Sequence, residues 1–408
     1  MTRERRAVVV GGGVTGLLVG LALRDAGWEV LVLEAHHVGA GSSSRSAAGI
    51  RQQFAQAATV RAMRHAVAAY RALGERFGTP LLAPQGYLFL LDASQLDEAD
   101  ARVAVQREAG LVDVERLDGD EVRRRFPWVG PGMAGATWCP SDGFLRADAV
   151  LGEAARALRE AGGQLRVGAP VVSAEREGPR LTALRTADGE RLGADLFVDA
   201  TNAWTRRTAR ALGLTDLPVD PLKRHLWWLR TGTALPPAVV GGFPLVVLPS
   251  GVYARPEGHA GLLVGWARPT PSEPVFTLDD QDRVDPAHAH DGGLETVPLE
   301  AWTRLAEAVP ALSDAAGFAA TTCGYYGTTP DHHPFLGYDP SATNVLRLVG
   351  FSGHGLMMAP FTAAAAVALA EAGGPVDIVR LPTGDVPLAP FGLDRARSGG
   401  AHAERMVI

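Results

Sequence analysis

The stretch AVVVGGGVTGLLVGLALRDAGWEVLVLE, from Ala7 to Glu34, decides the fold of this chain. Its first residues, 7–10, are small and β-branched, which suits a strand buried on both faces of a parallel sheet. The first glycine of a G-x-G-x-x-G motif permits a tight turn, the second a close approach to a pyrophosphate, and the third the packing of a helix on the strand. This spacing is met by Gly11, Gly13 and Gly16.

The residues after the glycines extend the prediction of a dinucleotide-binding βαβ unit. Residues 14–26 indicate a helix, beginning with Val14 and Thr15, whose first N–H groups attract phosphate. Residues 29–33 indicate a second strand, and Glu34 at its end can accept hydrogen bonds from a ribose 2′-hydroxyl. The acid favours an adenosine without a 2′-phosphate, but the motif alone does not separate FAD from NAD.

Composition bounds the class of protein. With 408 residues, 47% of them hydrophobic, the chain is long enough for two domains and a substantial core. The net charge of −6 argues against nucleic acid as a partner. Two cysteines, Cys139 and Cys323, predict neither a disulfide framework nor a metal site. Because we find neither a signal-like segment nor an apolar run long enough to span a membrane, we expect a cytoplasmic protein without a membrane span.

The rest of the chain alternates between helical and strand-like patterns. Strand-like runs HLWWLR, PLVVLP, GVYARP and GLLVGW, between 219 and 268, predict an antiparallel sheet that differs in kind from the opening βαβ unit. Residues 36–54 indicate a loop whose hydroxyls and arginines suit contact with a cofactor, and residues 269–296 indicate an exposed loop. We expect loop and a short strand over 321–337, and a disordered tail over 396–408.

A second glycine-rich turn lies late in the chain. GFSGHG, residues 350–355, follows a predicted buried strand at 345–349 and precedes an alanine-rich helix at 356–372. This order directs helix N–H groups at an electron-rich ligand.

Five stretches, in this order, resemble one family: GGGVTGLLVGLALRDAGWEVLVLE, GSSSRSAAGIRQQF, DLFVDATNAWT, YYGTTPDHHPFLG and GFSGHGLMMAP. The chain is similar to the FAD-dependent D-amino acid oxidase superfamily, and within it to the branch of glycine and sarcosine oxidases and related dehydrogenases. The resemblance implies an α/β fold in which a Rossmann-like FAD-binding domain is interleaved with an antiparallel-sheet α+β substrate domain. We place the FAD-binding domain at 1–85, 145–220 and 321–395, and the substrate domain at 86–144 and 221–320.

The resemblance also implies which residues contact FAD. The glycines of the first motif would hold the pyrophosphate, Glu34 the adenosine ribose, and the 353–357 turn the flavin ring and ribityl chain. The implied cofactor-binding residues are Gly11, Gly13, Val14, Thr15, Gly16, Glu34, Ala35, Ser42, Ser43, Ser44, Arg45, Val172, Ala200, Thr201, Trp204, Gly353, His354, Gly355, Leu356 and Met357.

Several positions depart from the family pattern. Leu263 stands where sarcosine oxidases have a lysine that promotes reaction with O₂, and Lys223 is the only lysine of the chain. Met357 replaces a lysine that helps to hold the substrate carboxylate, whereas the carboxylate-binding arginine is retained as Arg51, with Ala48 at the position of its partner arginine. Cys323 falls one residue away from the position used for covalent attachment, so we expect non-covalent FAD.

Four residues are candidates for the chemistry: Arg51, His354, Tyr326 and His225. A histidine near neutral pH can take a proton, but hydride transfer from a neutral amine needs mainly positioning and electrostatics. Four aromatic residues are candidates to line a pocket for a larger or uncharged substrate: Trp227, Trp228, Tyr253 and Trp266.

The resulting hypothesis is an FAD-dependent oxidase or dehydrogenase that oxidises the C–N bond of an amine or amino acid to an imine. O₂ or another acceptor would receive the electrons. Two alternatives stay open: a dehydrogenase of a hydroxy acid or alcohol, and a non-catalytic flavoprotein that acts as an assembly factor. The sequence leaves the substrate and the oligomeric state undetermined.

Overall fold

A computed structural model describes residues 5–235, 237–267, 297–397 and 403–406. The loop expected over 269–296 lies outside the described residues. The helices are α1 (Val14–Asp25), α2 (Ala57–Phe77), α3 (Leu96–Glu108), α4 (Gly119–Arg125), α5 (Ala147–Glu160), α6 (Thr205–Leu212), α7 (Pro237–Gly242), α8 (Val297–Ala308) and α9 (Gly355–Ala372).

The strands form sheets of two main kinds, one largely parallel and one largely antiparallel. In chain order they are β1 (Arg6–Val10), β2 (Glu29–Leu33), β3 (Gly49–Ile50), β4 (Leu82–Ala83), β5 (Tyr87–Leu91), β6 (Glu115–Asp118), β7 (Gly135–Cys139), β8 (Gly143–Leu145), β9 (Gln164–Arg166), β10 (Val171–Glu177), β11 (Arg180–Thr186), β12 (Arg191–Gly193), β13 (Leu196–Asp199), β14 (Asp220–Arg230), β15 (Leu245–Val247), β16 (Val252–Pro256), β17 (Gly261–Trp266), β18 (Gly317–Thr328), β19 (Phe335–Tyr338), β20 (Val345–Val349), β21 (Ile378–Val379) and β22 (Val386–Pro387).

The first main sheet has six strands in the order β19-β20-β13-β1-β2-β9. All neighbours in it are parallel except β19 and β20. The central strand β1 is buried along 7–10, because helices cover the sheet and apolar strand residues need burial on both faces. Helix α1 packs against both α5 and α9, which explains why most of its residues are buried. The predicted βαβ unit is confirmed.

The second main sheet has eight strands in the order β18-β14-β17-β16-β15-β5-β7-β6. Its neighbours are antiparallel except for β15 and β5. Together the two sheets confirm the predicted fold class, an α/β unit interleaved with an antiparallel one. The remaining strands form three small sheets, β10-β11-β12, β3-β8-β4 and β21-β22.

One prediction about this sheet was wrong. The region 321–337, expected to be loop and a short strand, overlaps the twelve-residue strand β18, which pairs with β14 from Asp220 to Arg230. Glycine and alanine weaken its local strand signal, and the long ladder with β14 supplies the missing stability. The domain boundary expected at 321 therefore falls inside a strand of the eight-stranded sheet.

The predicted disordered tail also requires correction. Residues 403–406 are described and packed, and Glu404 is 1% exposed. Its backbone N–H donates to the carbonyl of Asp331 at 2.9 Å, and its carboxylate accepts from the backbone N–H of Ala55 at 2.9 Å. A tertiary contact of this kind, far apart in sequence, leaves no local pattern.

The expectation that no apolar run reaches membrane-spanning length is corrected by α9. Its 18 residues have a mean hydropathy of 1.5, although 67% of them are buried inside the protein. A buried core helix meets the same criteria of length and composition, so this finding is weak evidence for a membrane span.

Candidate active site

A large cavity lies at the carboxyl edge of the parallel sheet. Its volume is about 1060 Å³, and it extends from the ends of β1, β2 and β13 to the surface of the eight-stranded sheet. In open α/β sheets this edge is where ligands bind. The starts of α1 and α9 both contribute to its wall.

The turn after β1 is shaped for close approach of a ligand. Gly11 has φ +113°, and a Cβ atom there would lie 2.7 Å from the carbonyl oxygen of Ala200. Helix α1 begins after Gly13, which offers no capping side chain. The backbone N–H of Val14 instead donates to Ser43 Oγ at 3.1 Å. A helix N-terminus that is preceded by glycines, which carry no side chain to block a ligand, is a typical site for a phosphate group.

Glu34 is fixed at the end of β2. Its Oε2 accepts from the backbone N–H of Gly12 at 2.7 Å, and its Oε1 accepts from that of His36 at 2.9 Å. Each carboxylate oxygen can accept a further hydrogen bond, and Glu34 lines the cavity. The side chain is therefore oriented to receive a hydroxyl donor.

The serine-rich loop after β2 is held by its own side chains. Ser44 Oγ donates to the carbonyl of Gly39 at 2.8 Å, and Arg45 Nη1 donates to that of Gly41 at 2.9 Å. Ser42 Oγ donates to the carbonyl of Tyr325 on β18. The first two bonds hold the shape of the loop, and the bond from Ser42 ties it to the eight-stranded sheet along one side of the cavity.

The start of α9 forms the wall at the other end. Gly353 has φ +91°, and a Cβ atom there would lie 2.5 Å from the ring of Tyr326. His354 is the N-cap residue of α9 but makes no side-chain capping bond. The dipole of this 18-residue helix therefore favours negative charge near its N-terminus.

Sixteen of the twenty predicted cofactor-binding residues line the cavity: Gly11, Gly13, Val14, Thr15, Glu34, Ala35, Ser42, Ser43, Arg45, Val172, Ala200, Thr201, Trp204, Gly353, Gly355 and Leu356. Four others lie outside its lining: Gly16, Ser44, His354 and Met357. Gly16 instead packs against the turn, where a Cβ atom would meet the carbonyl of Gly11 at 1.8 Å. The open turn, the oriented acid and the two helix starts suit the pyrophosphate, ribose and flavin of FAD.

Comparison with known proteins agrees with this geometry. The family model DAO, described as FAD dependent oxidoreductase, matches residues 6–369. The chain belongs to this family. Its relatives are FAD-dependent flavoproteins, so the cofactor of this family member is FAD, and the chain is an FAD-dependent oxidoreductase.

Individual relatives span most of the DAO-family chain. FAD-dependent oxidoreductase domain-containing protein 1 of Bos taurus is 29% identical over 86% of this chain and 78% of the relative. Glycine oxidase of Pseudomonas putida is 28% identical over 88% of this chain and 92% of the relative. The crystal structure of L-proline dehydrogenase from P. horikoshii superposes with a TM-score of 0.82 at 24% identity, covering 98% of this chain and 100% of that one.

Arg51 does not reach the cavity. The residue is fully buried, and its guanidinium donates to the carbonyls of Gln53 and Met406. Its Cζ also lies 3.9 Å from the ring centroid of Phe54. Its predicted role in holding a carboxylate stays a prediction, and that role would require displacement of Met406.

His354 lies beside Arg51 and not beside the cavity. Its Nε2 is 3.4 Å from Arg51 Nη2, and its ring packs edge-on against Phe54 at 5.1 Å. Burial, reinforced by the charge of Arg51, lowers the pKa of His354 well below its usual value of 6.5. The imidazole is therefore neutral and supports Arg51 by packing and by this contact.

The two faces of β14 separate the candidates on that strand. Arg224 and Leu226 line the cavity, so the alternation of side chains turns Lys223 and His225 to the opposite face. His225 stacks on Trp227 with a centroid separation of 6.3 Å. Alternation along the strand separates Arg224 from His225, but the pairing of β14 with β17 and β18 decides which of the two meets the cavity, so the prediction of His225 as a site residue is wrong.

The neighbouring strand, β18, also contributes to the cavity wall. Gly324, Tyr325 and Tyr326 line the cavity, so the division is less strict here, whereas Cys323 pairs with His225 in the ladder and is fully buried. Neither cysteine of the chain lines the cavity, and non-covalent attachment of FAD stays a prediction.

The aromatic candidates also divide between cavity and core. Tyr253 lines the cavity, and burial raises its pKa well above 10.0, so its hydroxyl stays protonated. Trp227 and Trp266 lie in the apolar core behind the sheet. Trp228 packs against a cluster that includes Tyr253 and Leu263, and it does not line the cavity.

Leu263 makes this part of the sheet apolar. It is 2% exposed and packs with Leu226 and Tyr253, which both line the cavity. Lys223 is buried on the other face of β14 and does not replace the family lysine.

Proposed function

We propose that this protein oxidises the C–N bond of an amine or amino acid to an imine. The continuous cavity that joins the dinucleotide-binding turn to Arg224, Tyr253 and Tyr326 carries this proposal. One end has the features that hold FAD, and the other offers aromatic hydroxyls and a cation to a small molecule. The glycine oxidase and human peroxisomal sarcosine oxidase relatives, named for amines of this type, support it.

The reaction removes a hydride from the carbon next to nitrogen while the nitrogen lone pair forms the C=N bond, and the resulting iminium ion loses its N–H proton to water to give the imine. FAD, when bound, supplies the hydride acceptor at its N5 atom. Water then hydrolyses the imine to a carbonyl compound and an amine. Because the substrate amine must be neutral when the hydride leaves, the protein needs chiefly to position it and to exclude solvent.

The described residues favour positioning over proton transfer. His354, the strongest histidine candidate, lies outside the cavity, and burial keeps it neutral. The N-terminus of α9 supports negative charge that develops on the cofactor during reduction. Tyr253 and Tyr326 supply neutral hydroxyl donors at the substrate end.

Leu263 supports transfer of electrons to an acceptor other than O₂. A cation beside the cofactor stabilises the negative charge that forms when O₂ takes an electron, and the leucine supplies none. The apolar cluster of Leu263, Leu226 and Tyr253 therefore favours a dehydrogenase over an oxidase.

Anaerobic reduction of the bound flavin tests the proposal. The FAD-loaded protein is mixed without oxygen with glycine, N-methylglycine, L-proline and simple amines, and with their hydroxy-acid counterparts. We expect flavin bleaching by an amine and release of the matching carbonyl compound. Bleaching by hydroxy acids alone would establish the alcohol-oxidising alternative, and no bleaching by any of them would favour a non-catalytic flavoprotein.

A further inference from the structure

Residues 403–406 form a short strap across two parts of the protein that are distant in sequence. Glu404 is 1% exposed, and its carboxylate accepts from the backbone N–H groups of Ala55 and Gln56, just before α2. Its own backbone N–H donates to the carbonyl of Asp331 at 2.9 Å. The strap therefore joins the start of α2 to the loop after β18.

The strap covers Arg51. The carbonyl of Met406 accepts from Nη2 of Arg51, and the carboxylate of Glu404 lies close enough to act on the charge of the arginine. His354 Nε2 lies 3.4 Å from the same Nη2 atom. The strap thus lies beside two residues that the sequence singled out for the chemistry, and neither of them lines the cavity.

The side chain of Met406 lies where the two main sheets meet. It packs against the core cluster around the parallel sheet and against a second cluster on the eight-stranded sheet. The second cluster includes Leu226 and Tyr253, which line the cavity. Arg51 borders this cluster as well, with its Cζ 5.5 Å from the ring centroid of Phe89. Removal of Met406 would therefore open a path along the cluster between Arg51 and the cavity.

The strap is held less firmly than the surfaces that it joins. Asp331 is fixed by an ion pair with Arg395 at 2.7 Å, and Ala55 and Gln56 lead directly into the 21-residue helix α2. The strap itself has neither helix nor strand, and its Arg405 is exposed. Because each hydrogen bond to it replaces a bond to water, each contributes only modestly. A short segment of this kind opens locally while the rest of the protein stays folded.

The docked strap leaves Arg51 incompletely paired. Its Nε has no hydrogen-bond partner among the described residues, and the oxygen acceptors of its Nη1 and Nη2 atoms include two uncharged backbone carbonyls. An unpaired buried donor disfavours the docked form. A small molecule with acceptor groups would therefore compete with the strap for this guanidinium.

We propose that residues 403–406 are an autoinhibitory strap, which separates Arg51 and His354 from the cavity when docked and admits substrate to them when released. The shielding of Arg51 is independent of the proposed function, whereas the effect on substrate rests on it. Because only the released fraction of the protein admits substrate this way, the apparent affinity falls in proportion to that fraction.

The first test measures the shielding of Arg51 with phenylglyoxal, a small aromatic reagent for accessible guanidinium groups. The FAD-loaded protein is treated, and modified arginines are identified by peptide mass spectrometry. Arg51 should react about 30-fold faster in Glu404→Gln than in wild type, because loss of the carboxylate raises the released fraction. Glu75→Gln, the same substitution at an exposed position, is the control and should react as wild type does.

The fully buried Arg347 is the internal reference and should stay unmodified in every variant. Equal reactivity of Arg51 in wild type and Glu404→Gln would overturn the proposal. An equal acceleration at Arg347 would also overturn it, because the substitution would then loosen the whole protein.

The second test removes the strap in a chain that ends at residue 402. Anaerobic flavin reduction by N-methylglycine and L-proline should show a higher kcat/KM than in the full chain. The free peptide AHAERMVI, residues 401–408, should inhibit the shortened chain competitively, and the same peptide with Glu404→Gln should bind about 30-fold more weakly. If the shortened chain does not fold, Glu404→Gln in the full chain supplies the comparison of kcat/KM.

An unchanged or lower kcat/KM on release of the strap would overturn the autoinhibitory role, and so would the absence of inhibition by the peptide. If no amine reduces the wild-type flavin, the proposed function fails, while the phenylglyoxal reaction still decides whether the strap shields Arg51.

Discussion

Replacement of Glu404 by glutamine tests how the C-terminal segment 403–406 is held. The carboxylate of Glu404 accepts from the backbone N–H groups of Ala55 at 2.9 Å, Gln56 at 3.2 Å and Met406 at 2.9 Å. The first two belong to the residues just before α2, so the negative charge also complements the dipole of that helix. Glutamine has nearly the same shape but turns an NH₂ donor towards one of these N–H groups.

The cost follows from these contacts. A buried donor left without an acceptor costs about 1–3 kcal/mol, and loss of charge at a helix N-terminus costs about 0.3–1 kcal/mol. Glu404→Gln should therefore destabilise the docked segment by about 2 kcal/mol. For amides that exchange by local opening, this corresponds to about 30-fold faster hydrogen exchange.

Hydrogen exchange followed by mass spectrometry measures this effect in peptides that contain residues 55–56 and 403–406. Glu75→Gln, the same substitution at an exposed position near the other end of α2, is the control and should leave both peptides unchanged. Equal exchange in wild type and Glu404→Gln would refute the idea that this carboxylate holds the segment against Arg51.

Three further predictions concern the electron acceptor of the reduced flavin, the pH dependence of the free energy of unfolding, and the buried ion pairs of Arg347. Leu263→Lys should accelerate reoxidation of the substrate-reduced flavin by O₂, measured by stopped-flow absorbance; an unchanged rate would argue against the leucine as the cause of slow oxygen reaction. His354 is neutral when folded, whereas in the unfolded chain it gains a proton as pH falls through 6.5. Its protonation therefore stabilises only the unfolded state, so wild-type protein should lose about 1.4 kcal/mol of unfolding free energy at this residue between pH 7.5 and 5.5. His354→Gln should lack this loss when the free energy of unfolding is measured in urea. An equal dependence of unfolding free energy on pH in both proteins would contradict this. The side chain of Arg347 pairs with Asp199 at 2.9 Å and with Asp339 at 2.6 Å, and all three side chains are fully buried. Arg347→Met should therefore lower the free energy of unfolding, measured in urea, by at least about 3 kcal/mol. A near-neutral change would show that the two carboxylates are protonated or solvated.

Local patterns were sufficient for the parts of the fold and cavity that depend on short-range geometry. A positive φ and the nearby carbonyl of Ala200 require glycine at position 11. Because this requirement is local, the spacing of the glycines in G-x-G-x-x-G was enough to predict the turn. The same holds for Gly353 at the start of α9. Glu34 was predictable because it directly follows a strand of clear pattern.

The substrate end depends on pairing between distant strands. Whether Arg224 or His225 faces the cavity is decided by the register of β14 with β17 and β18, and a shift of one residue exchanges the two faces. The burial of Arg51 depends on Met406, which lies 355 positions away in the chain. Neither fact has a local signal in the sequence.

The most direct test of amine oxidation is one anaerobic titration of the FAD-loaded protein with matched pairs of substrates. Each pair has the same carbon skeleton with nitrogen or oxygen at the reacting carbon, for example glycine and glycolate. The proposal predicts that the flavin is bleached by the nitrogen member of a pair and remains oxidised with the oxygen member. Bleaching by the oxygen member alone would contradict it.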